Sequence, residues 1–348
     1  MAETAWVLYG ATGFTGQLIA RHAVAAGLRP VLAAREPQAL AELGRELGLE
    51  ARCAKIDDPD SLARMLAGRA AVVNAAGPFA LTQPAVAEAS LRAGVDYFDL
   101  SGDAPLLESL GGLGADFAAA NRALVPAIGF DVVFSDAAIA DAASRIGPVR
   151  SVRLGLSFFR PTMSQGSWKS ALEEPSIALV RRDGRLCERP ASHRRELFDF
   201  GSGPRSGEIV TWGDLVTAAW TTGAPDVTVL VQADWSARIA GITLGLLKSP
   251  PGLWLGRRMI GCFPAGPDAR QRSRNHSSIV AEVTDQAGNV ARTALRTADP
   301  YDMTARAVVA AMQELPALDG RHGLMSPTMA FGAAQLLAID GCKVVQRN

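Results

Sequence analysis

The stretch "VLYGATGFTGQLIAR", residues 7–21, decides how the chain is read. An apolar run of strand character meets three glycines, Gly10, Gly13 and Gly16, and then a segment whose Leu18, Ile19, Ala23 and Ala26 share one helical face. Glycine costs backbone entropy, so its repetition between a strand and a helix needs a reason. Gly10 permits the turn, Gly13 lets the backbone approach a bulky anion at the helix N-terminus, and Gly16 lets helix and strand pack closely. Thr12 and Thr15 add hydroxyl donors on either side of Gly13 and Phe14. The order strand, glycines, helix is that of a dinucleotide pyrophosphate site.

The following hundred residues repeat the alternation. Short apolar runs at 5–9, 30–34, 51–56, 70–76, 95–100 and 123–129 read as strands buried on both faces. Pro37 and Pro59 suit the first turns of the second and third helices, and Thr82 suits the cap of the helix carrying Val86 and Leu91. The class is therefore α/β, an N-terminal Rossmann doubly wound parallel sheet. From about residue 150 the strands lengthen and alternate, as at 149–158 and 225–234. The runs 277–285 and 289–299 flank Gln286–Gly288 as a hairpin. These predict a second α+β domain on a mainly antiparallel sheet, with exposed strands and loops over the Arg-, Gly-, Ser- and Pro-rich residues 183–208. The predicted organisation is a nucleotide domain over 1–130, a substrate domain over 131–300, and C-terminal helices over 301–348 that pack back on the first domain.

Of 348 residues, 48% are hydrophobic, enough to bury a large core, and the 35 basic residues balance 35 acidic ones. That balance gives no electrostatic case for nucleic acid or for strong attraction to anionic membranes. Cys53, Cys187, Cys262 and Cys342 stand alone, which suits a reducing cytosol and predicts buried packing thiols. The N-terminus shows no basic region followed by a signal-type apolar run, so a cytoplasmic location is expected.

Candidate ligand residues follow the strand ends. Arg35 stands where an adenosine ribose would lie, and a cation there favours the 2′-phosphate of NADP over NAD. Asp57 and Asp58, after the third strand, either border the adenine or cap the helix that starts at Pro59, with capping the favoured role. Asn74, Ala76, Gly77 and Pro78, in "NAAGPF", end the fourth strand beside the first and line the nicotinamide side. In "DLSGD", Asp99, Ser101 and Asp103 either face a substrate or cap the next helix. Asp131 lies just past the sixth strand, and the helix "SDAAIADAASRI" offers Ser135 as its cap. His22, His193, His276 and His322 show no metal spacing, and no metal is expected. No Tyr-x-x-x-Lys relay and no G-x-S-x-G elbow occurs.

"YGATGFTG", "NAAGPF", "GVDYFDLSGD" and "GFDVVFSD" resemble, in order and spacing, the saccharopine dehydrogenase-like family, and in particular its trans-acting enoyl reductase branch. The likeness continues through "MSQGSWKSALEE" (163–174), 297–312 and 323–332. The resemblance implies an NADP-binding Rossmann domain, a substrate domain and hydride transfer. It implies a substrate-site role for Asp131, with Ser135 and Lys169 as the other candidate catalytic residues. Departures fall at Val132–Phe134, where that branch has Ser-Val-Pro, and at Gln165–Ser167, where it favours Gly-Gly-Thr. Lys169 is the only cation in segments 129–136 and 163–172, and residues 239–263 are apolar, interrupted by Lys248, Pro250 and Pro251. Residues 239–263 read either as core helices or as an acyl channel or membrane-surface patch. The expected function is hydride transfer to or from an apolar enoyl thioester or lipid-like substrate. The alternatives are saccharopine-type C=N chemistry and a non-catalytic nucleotide-binding scaffold. Expected partners are a small-molecule or acyl-thioester substrate, with a peripheral membrane or carrier-protein contact and a homodimer left open.

Overall fold

The computed structural model describes residues 6–173, 177–233, 250–318 and 320–348. They fall into two units, Met1–Ala137 with Pro300–Gly341, and Ala138–Asp299 with Cys342–Asn348.

In the first unit the strands β1 (Trp6–Tyr9), β2 (Val31–Ala34), β3 (Ala51–Cys53), β4 (Ala71–Asn74), β5 (Asp96–Asp99) and β6 (Ala123–Val125) join the strand Gly323–Leu324 in a parallel sheet. Its order is Gly323–Leu324, β6, β5, β4, β1, β2, β3, so the strand order reverses between β1 and β4. Every residue of β1, β2 and β4 is buried, as expected for short strands covered on both faces. The register sets Tyr9 opposite Asn74 and Asn74 opposite Asp99, aligning three strand ends on one edge.

The helices α1 (Phe14–Ala25), α2 (Pro37–Leu47), α3 (Pro59–Leu66) and α4 (Phe79–Ala93) follow β1 to β4. Pro37 and Pro59 occupy first turns, where the missing N–H has no intrahelical role. Thr82 is not a cap: α4 begins three residues earlier, behind Pro78. The Thr82 hydroxyl instead donates to the Ala76 carbonyl, tying the helix to the loop before it. The segment 326–341 does not form one helix, because Gly332 takes a left-handed φ of +82° between the helices Pro327–Phe331 and Ala333–Leu337. The cysteines depart from expectation as well. Cys53, Cys187 and Cys262 are exposed and only Cys342 is partly covered, its thiol pushed up to about 11 by burial.

The second unit contains β7 (Val149–Phe159), β8 (Ala178–Arg182), β9 (Arg185–Arg189), β10 (Arg195–Asp199), β11 (Pro204–Ile209), β12 (Asp226–Gln232), β13 (His276–Asp285) and β14 (Val290–Thr297), with the strand Cys342–Arg347. All described pairings are antiparallel except that of β7 with β12, so the sheet is mixed but mainly antiparallel. Gly155 on β7 makes its core, since a Cβ there would stand 2.3 Å from the Phe198 ring. The β13–β14 hairpin turns at Gly288, whose φ is +90°, and Asp285 accepts from the Asn289 N–H at 2.8 Å.

Candidate functional site

The three glycines of the β1–α1 loop have different structural reasons. Gly10 adopts φ +87°, and a Cβ there would lie 2.7 Å from the Ala75 carbonyl carbon and the Ala76 nitrogen. It lets the loop after β1 touch the loop after β4 across the reversal in strand order. A Cβ at Gly16 would lie 2.2 Å from the Gly10 carbonyl oxygen, so the first turn of α1 seats on the loop only without one. Gly13 is different. Its φ is −70°, it is exposed, and a Cβ would meet only the Gly10 oxygen, at 3.3 Å. The fold demands Gly10 and Gly16 and asks little of Gly13, which leaves close approach by something outside the chain as the use of that position.

The end of α1 is built to match. Gly13 is its N-cap, no side chain caps it, and no acidic residue occupies its first turn. By contrast Asp58 caps α3 by accepting from the Ser61 N–H at 3.0 Å, and Asp103 caps the helix Ala104–Ser109 by accepting from the Leu106 N–H at 3.0 Å. A helix of 12 residues with an uncapped, acid-free N-terminus carries partial positive charge toward an anion. Phe14 in its first turn packs edge-on to Tyr301, with ring centroids 5.1 Å apart. Thr12 and Thr15 are half-buried on either side, and the Thr12 carbonyl is held by Gln17 Nε2 at 3.0 Å.

Arg35 follows β2. Its side chain is 79% exposed and its Nε lies 3.6 Å from Glu36, a solvent-screened pair that a phosphate dianion would displace. Arg35 and Asp57 both act electrostatically on the buried Tyr9 phenol, which burial pushes above the usual tyrosine range. These residues and the α1 N-terminus belong to the carboxyl edge of the sheet, where open α/β folds bind ligands.

The ends of β4 and β5 are joined by a buried polar network. Asn74 Nδ2 donates to Thr82 Oγ1 at 3.2 Å and to the Tyr97 hydroxyl oxygen at 3.3 Å, while its Oδ1 accepts from the Ala76 N–H at 3.1 Å. Asp99, with no exposed surface, accepts at Oδ2 from Gln83 at 2.7 Å and from the Tyr97 hydroxyl at 2.9 Å. Its Oδ1 accepts from the backbone N–H groups of Ser101 at 3.0 Å and Ala127 at 2.9 Å. Burial raises the Asp99 carboxyl above the ordinary carboxylate range even though all four donors work against that shift. Asp99 neither caps a helix nor faces a ligand. It fixes the loop after β5 and holds Ala127, a non-glycine at φ +61°, in the turn after β6.

That turn leads to Asp131. It is exposed in the first turn of the helix Phe130–Ala143, whose Phe130 N–H donates to Thr304 Oγ1 at 3.0 Å. Gly102 lies against it, since a Cβ at Gly102 would be 3.0 Å from Asp131 Cβ and 3.2 Å from Oδ2. The loop after β5 and Asp131 are thereby brought together. Ser135, one turn further along the same helix, is no cap, because the helix starts five residues earlier. It is wholly buried, and its hydroxyl donates to the Val132 carbonyl at 2.9 Å, a bond inside its own helix that withdraws it from ligand contact. Lys169 is exposed on the helix Gln165–Glu173 of the second unit. Ala76 is half-buried and Gly77 and Pro78 are exposed at the β4 edge, and a Cβ at Gly77 would meet nothing within 4 Å. Among the described residues no cluster of three or more His, Cys, Asp or Glu is placed to hold a metal.

Gln83, Tyr97 and Asp99 as a network were not legible from motifs. One signal was present: in "VDYFDL" the alternation of a strand puts Tyr97 and Asp99 on the same face, two polar groups within a buried run.

Comparison with known proteins agrees with this geometry. The family described as NAD(P)H-binding matches residues 10–109. A protein of Mycobacterium tuberculosis named as a candidate trans-acting enoyl reductase is 32% identical over 192 residues, covering 51% of this chain and 46% of its own. The trans-acting enoyl reductase of Mycobacterium leprae is 37% identical over 139 residues, covering 37% of this chain and 33% of its own. The matched part thus spans less than half the length of these curated relatives. Among solved structures, apo saccharopine dehydrogenase (L-Glu forming) of Saccharomyces cerevisiae superposes with a TM-score of 0.66, covering 99% of both chains at 13% identity. The chain shares that protein's fold.

Proposed function

We propose that this chain is an NADP(H)-dependent oxidoreductase whose substrate is an apolar acyl thioester with an activated double bond. The observation that carries the reading is the contrast at the glycine loop. Gly10 and Gly16 serve the fold, whereas Gly13 and the uncapped N-terminus of α1 form a cradle for an anion of pyrophosphate size. The chain's own residues fit that group. Backbone N–H groups at the start of α1 and the hydroxyls of Thr12 and Thr15 hold the pyrophosphate, and Arg35 binds a 2′-phosphate. Ala76, Gly77 and Pro78 leave room at the β4 edge for the flat ring, with Asn74 and Thr82 fixing that loop from below. A bound nicotinamide supplies or accepts hydride. Asp131, exposed beside Gly102, is the polar group assigned here to orient a substrate or exchange a proton with it. The enoyl class is supported by the names of the relatives and by the sequence of segments 129–136 and 163–172, in which Lys169 is the only cation. A small, doubly charged amino-acid substrate would call for several.

The test is a pair of titrations followed by an assay. The unmodified protein is expected to bind NADPH more tightly than NADH, and Arg35→Ala to weaken NADPH by about tenfold or more while leaving NADH unchanged. Equal affinity for the two nucleotides overturns the NADP assignment. With NADPH in place, medium- and long-chain enoyl thioesters are expected to drive its oxidation while saccharopine does not change the absorbance. The reverse pattern overturns the substrate class.

A further inference from the structure

The second unit carries a helix facing the wrong way for a water-soluble surface. In the helix Pro250–Gly261, Gly256 is buried against Leu172, where an added Cβ would stand 2.9 Å from Leu172 Cδ2, and Ile260 is buried on the same side. The chain just beyond is fixed by Gln165, whose backbone N–H donates to the Ala265 carbonyl at 3.0 Å and whose side-chain amide donates to the Phe263 carbonyl. The opposite arc holds Trp254, Leu255, Arg258 and Met259, which at about 100° per residue fall within roughly 140° of one another. A solvent-facing arc should be polar. Here Trp254 is 66% exposed, Leu255 46% and Met259 48%, and Phe263 just past the helix is 43% exposed.

The charge on this segment is one-sided. From Trp235 to Pro267 the sequence holds no Asp or Glu and four cations, Arg238, Lys248, Arg257 and Arg258, in a chain whose formal net charge is zero. Arg258 lies on the apolar arc itself, its guanidinium 5.8 Å from the centroid of the Trp254 ring. An exposed row of Trp, Leu and Met with a cation folded over the aromatic ring is the composition of a helix lying in a headgroup layer. Its apolar side chains sink to the acyl boundary while Arg reaches the phosphates. None of the described helices is long and apolar enough to cross a bilayer, so such a contact lies on the surface.

We infer that the outward face of the helix Pro250–Gly261 docks the protein on an anionic lipid surface, with Trp254, Leu255 and Met259 inserted and Arg258 paired to lipid phosphate. A bilayer is favoured over a protein partner because the exposed apolar side chains stand beside arginine on a helix with no acidic residue, a pattern whose charge complement is an anionic headgroup layer. The inference does not depend on the cofactor reading.

Vesicle flotation of the full chain tests it. The protein is expected to float with vesicles of phosphatidylcholine and phosphatidylglycerol and about tenfold less with phosphatidylcholine alone. Replacing Trp254, Leu255 and Met259 together by Ser should remove flotation. Arg258→Glu should remove its dependence on phosphatidylglycerol, and it guards against a triple variant that fails to fold, as judged by circular dichroism. NADPH affinity, measured in the same samples, should stay unchanged in both. Failure of the unmodified protein to float with anionic vesicles overturns the proposal, as does equal flotation of folded variants. A change of oligomeric state in the triple variant, without vesicle binding by the parent, would assign the face to a protein contact and likewise overturn it.

Discussion

The loop after β1 and the loops after β4 and β5 lie on the same edge of one sheet, yet they treat polar groups in opposite ways. At the start of α1 no side chain caps the helix, Gly13 is exposed, and no acid stands in the first turn. At the ends of β4 and β5, Asn74, Thr82, Gln83, Tyr97 and Asp99 satisfy one another and three backbone N–H groups, those of Ala76, Ser101 and Ala127. A helix end can stay open because water covers it until a ligand arrives. A buried carboxylate has no such recourse, and each lost partner leaves an uncompensated group in a low-dielectric interior. The open side leaves its helix end without a side-chain cap, and the closed side spends its polar groups within the fold.

The largest effect should come from breaking the closed features. Gly16→Val would drive a branched side chain into the Gly10 carbonyl, which a Cβ already approaches to 2.2 Å. It is expected to cost about 3 kcal/mol or more in thermal or urea unfolding. Gly13→Ala meets only one atom, at 3.3 Å, so its unfolding midpoint should hardly move while NADPH binding weakens sharply. Calorimetric titration beside a melting curve separates the two. Similar loss of stability in both variants would erase the distinction between fold-serving and ligand-serving glycines.

Asp99→Leu sharpens the comparison from the other side. It orphans the Ser101 and Ala127 N–H groups and the Gln83 and Tyr97 donors, with an expected loss of about 2–4 kcal/mol in chemical denaturation. Asp99 also predicts a pH effect of definite sign. Its folded value is raised by burial, so its contribution to stability is complete below the unfolded value of about 3.9 and declines as pH rises through the raised folded value.

The smallest effect is expected in the second unit. Asp141 accepts from Arg145, Thr293 and Arg347, and although burial pulls its carboxyl upward, these hydrogen bonds outweigh it and hold the group below the usual range. Its contribution is present above the unfolded value of about 3.9 and is lost as pH falls through the lower folded one. Asp141→Asn should therefore lower stability modestly at neutral pH and flatten the acid limb of the stability curve. An unaltered acid limb would show that the pair to Arg347 at the terminal strand contributes nothing measurable.

Much of the first unit was legible residue by residue. Pro37 and Pro59 marked helix starts, and the strands ran two or three residues shorter than some of the apolar runs because those runs continue into the loops. Thr82 misled for a physical reason. A Thr near a predicted helix start reads as a cap, but Phe79 begins the helix earlier and the hydroxyl turns back to Ala76. Ser135 misled likewise, since a Ser before an alanine-rich run reads as a start while Phe130 already belongs to the helix. The cysteines misled because a lone thiol resembles a small core residue in composition, whereas Cys53, Cys187 and Cys262 fall on exposed positions of their elements.

The sequence by itself determined the alternation of strand and helix, the glycine spacing and the cation after β2, because each depends only on neighbours along the chain. Three relationships were decided by the tertiary structure. Asp99 meets the Ala127 N–H across 28 positions, Gly102 makes room for Asp131, and Gly13 proves to be the glycine the fold does not require. These are distances between segments far apart in the chain. Periodicity places a side chain on a face, but only the packed sheet sets what that face meets.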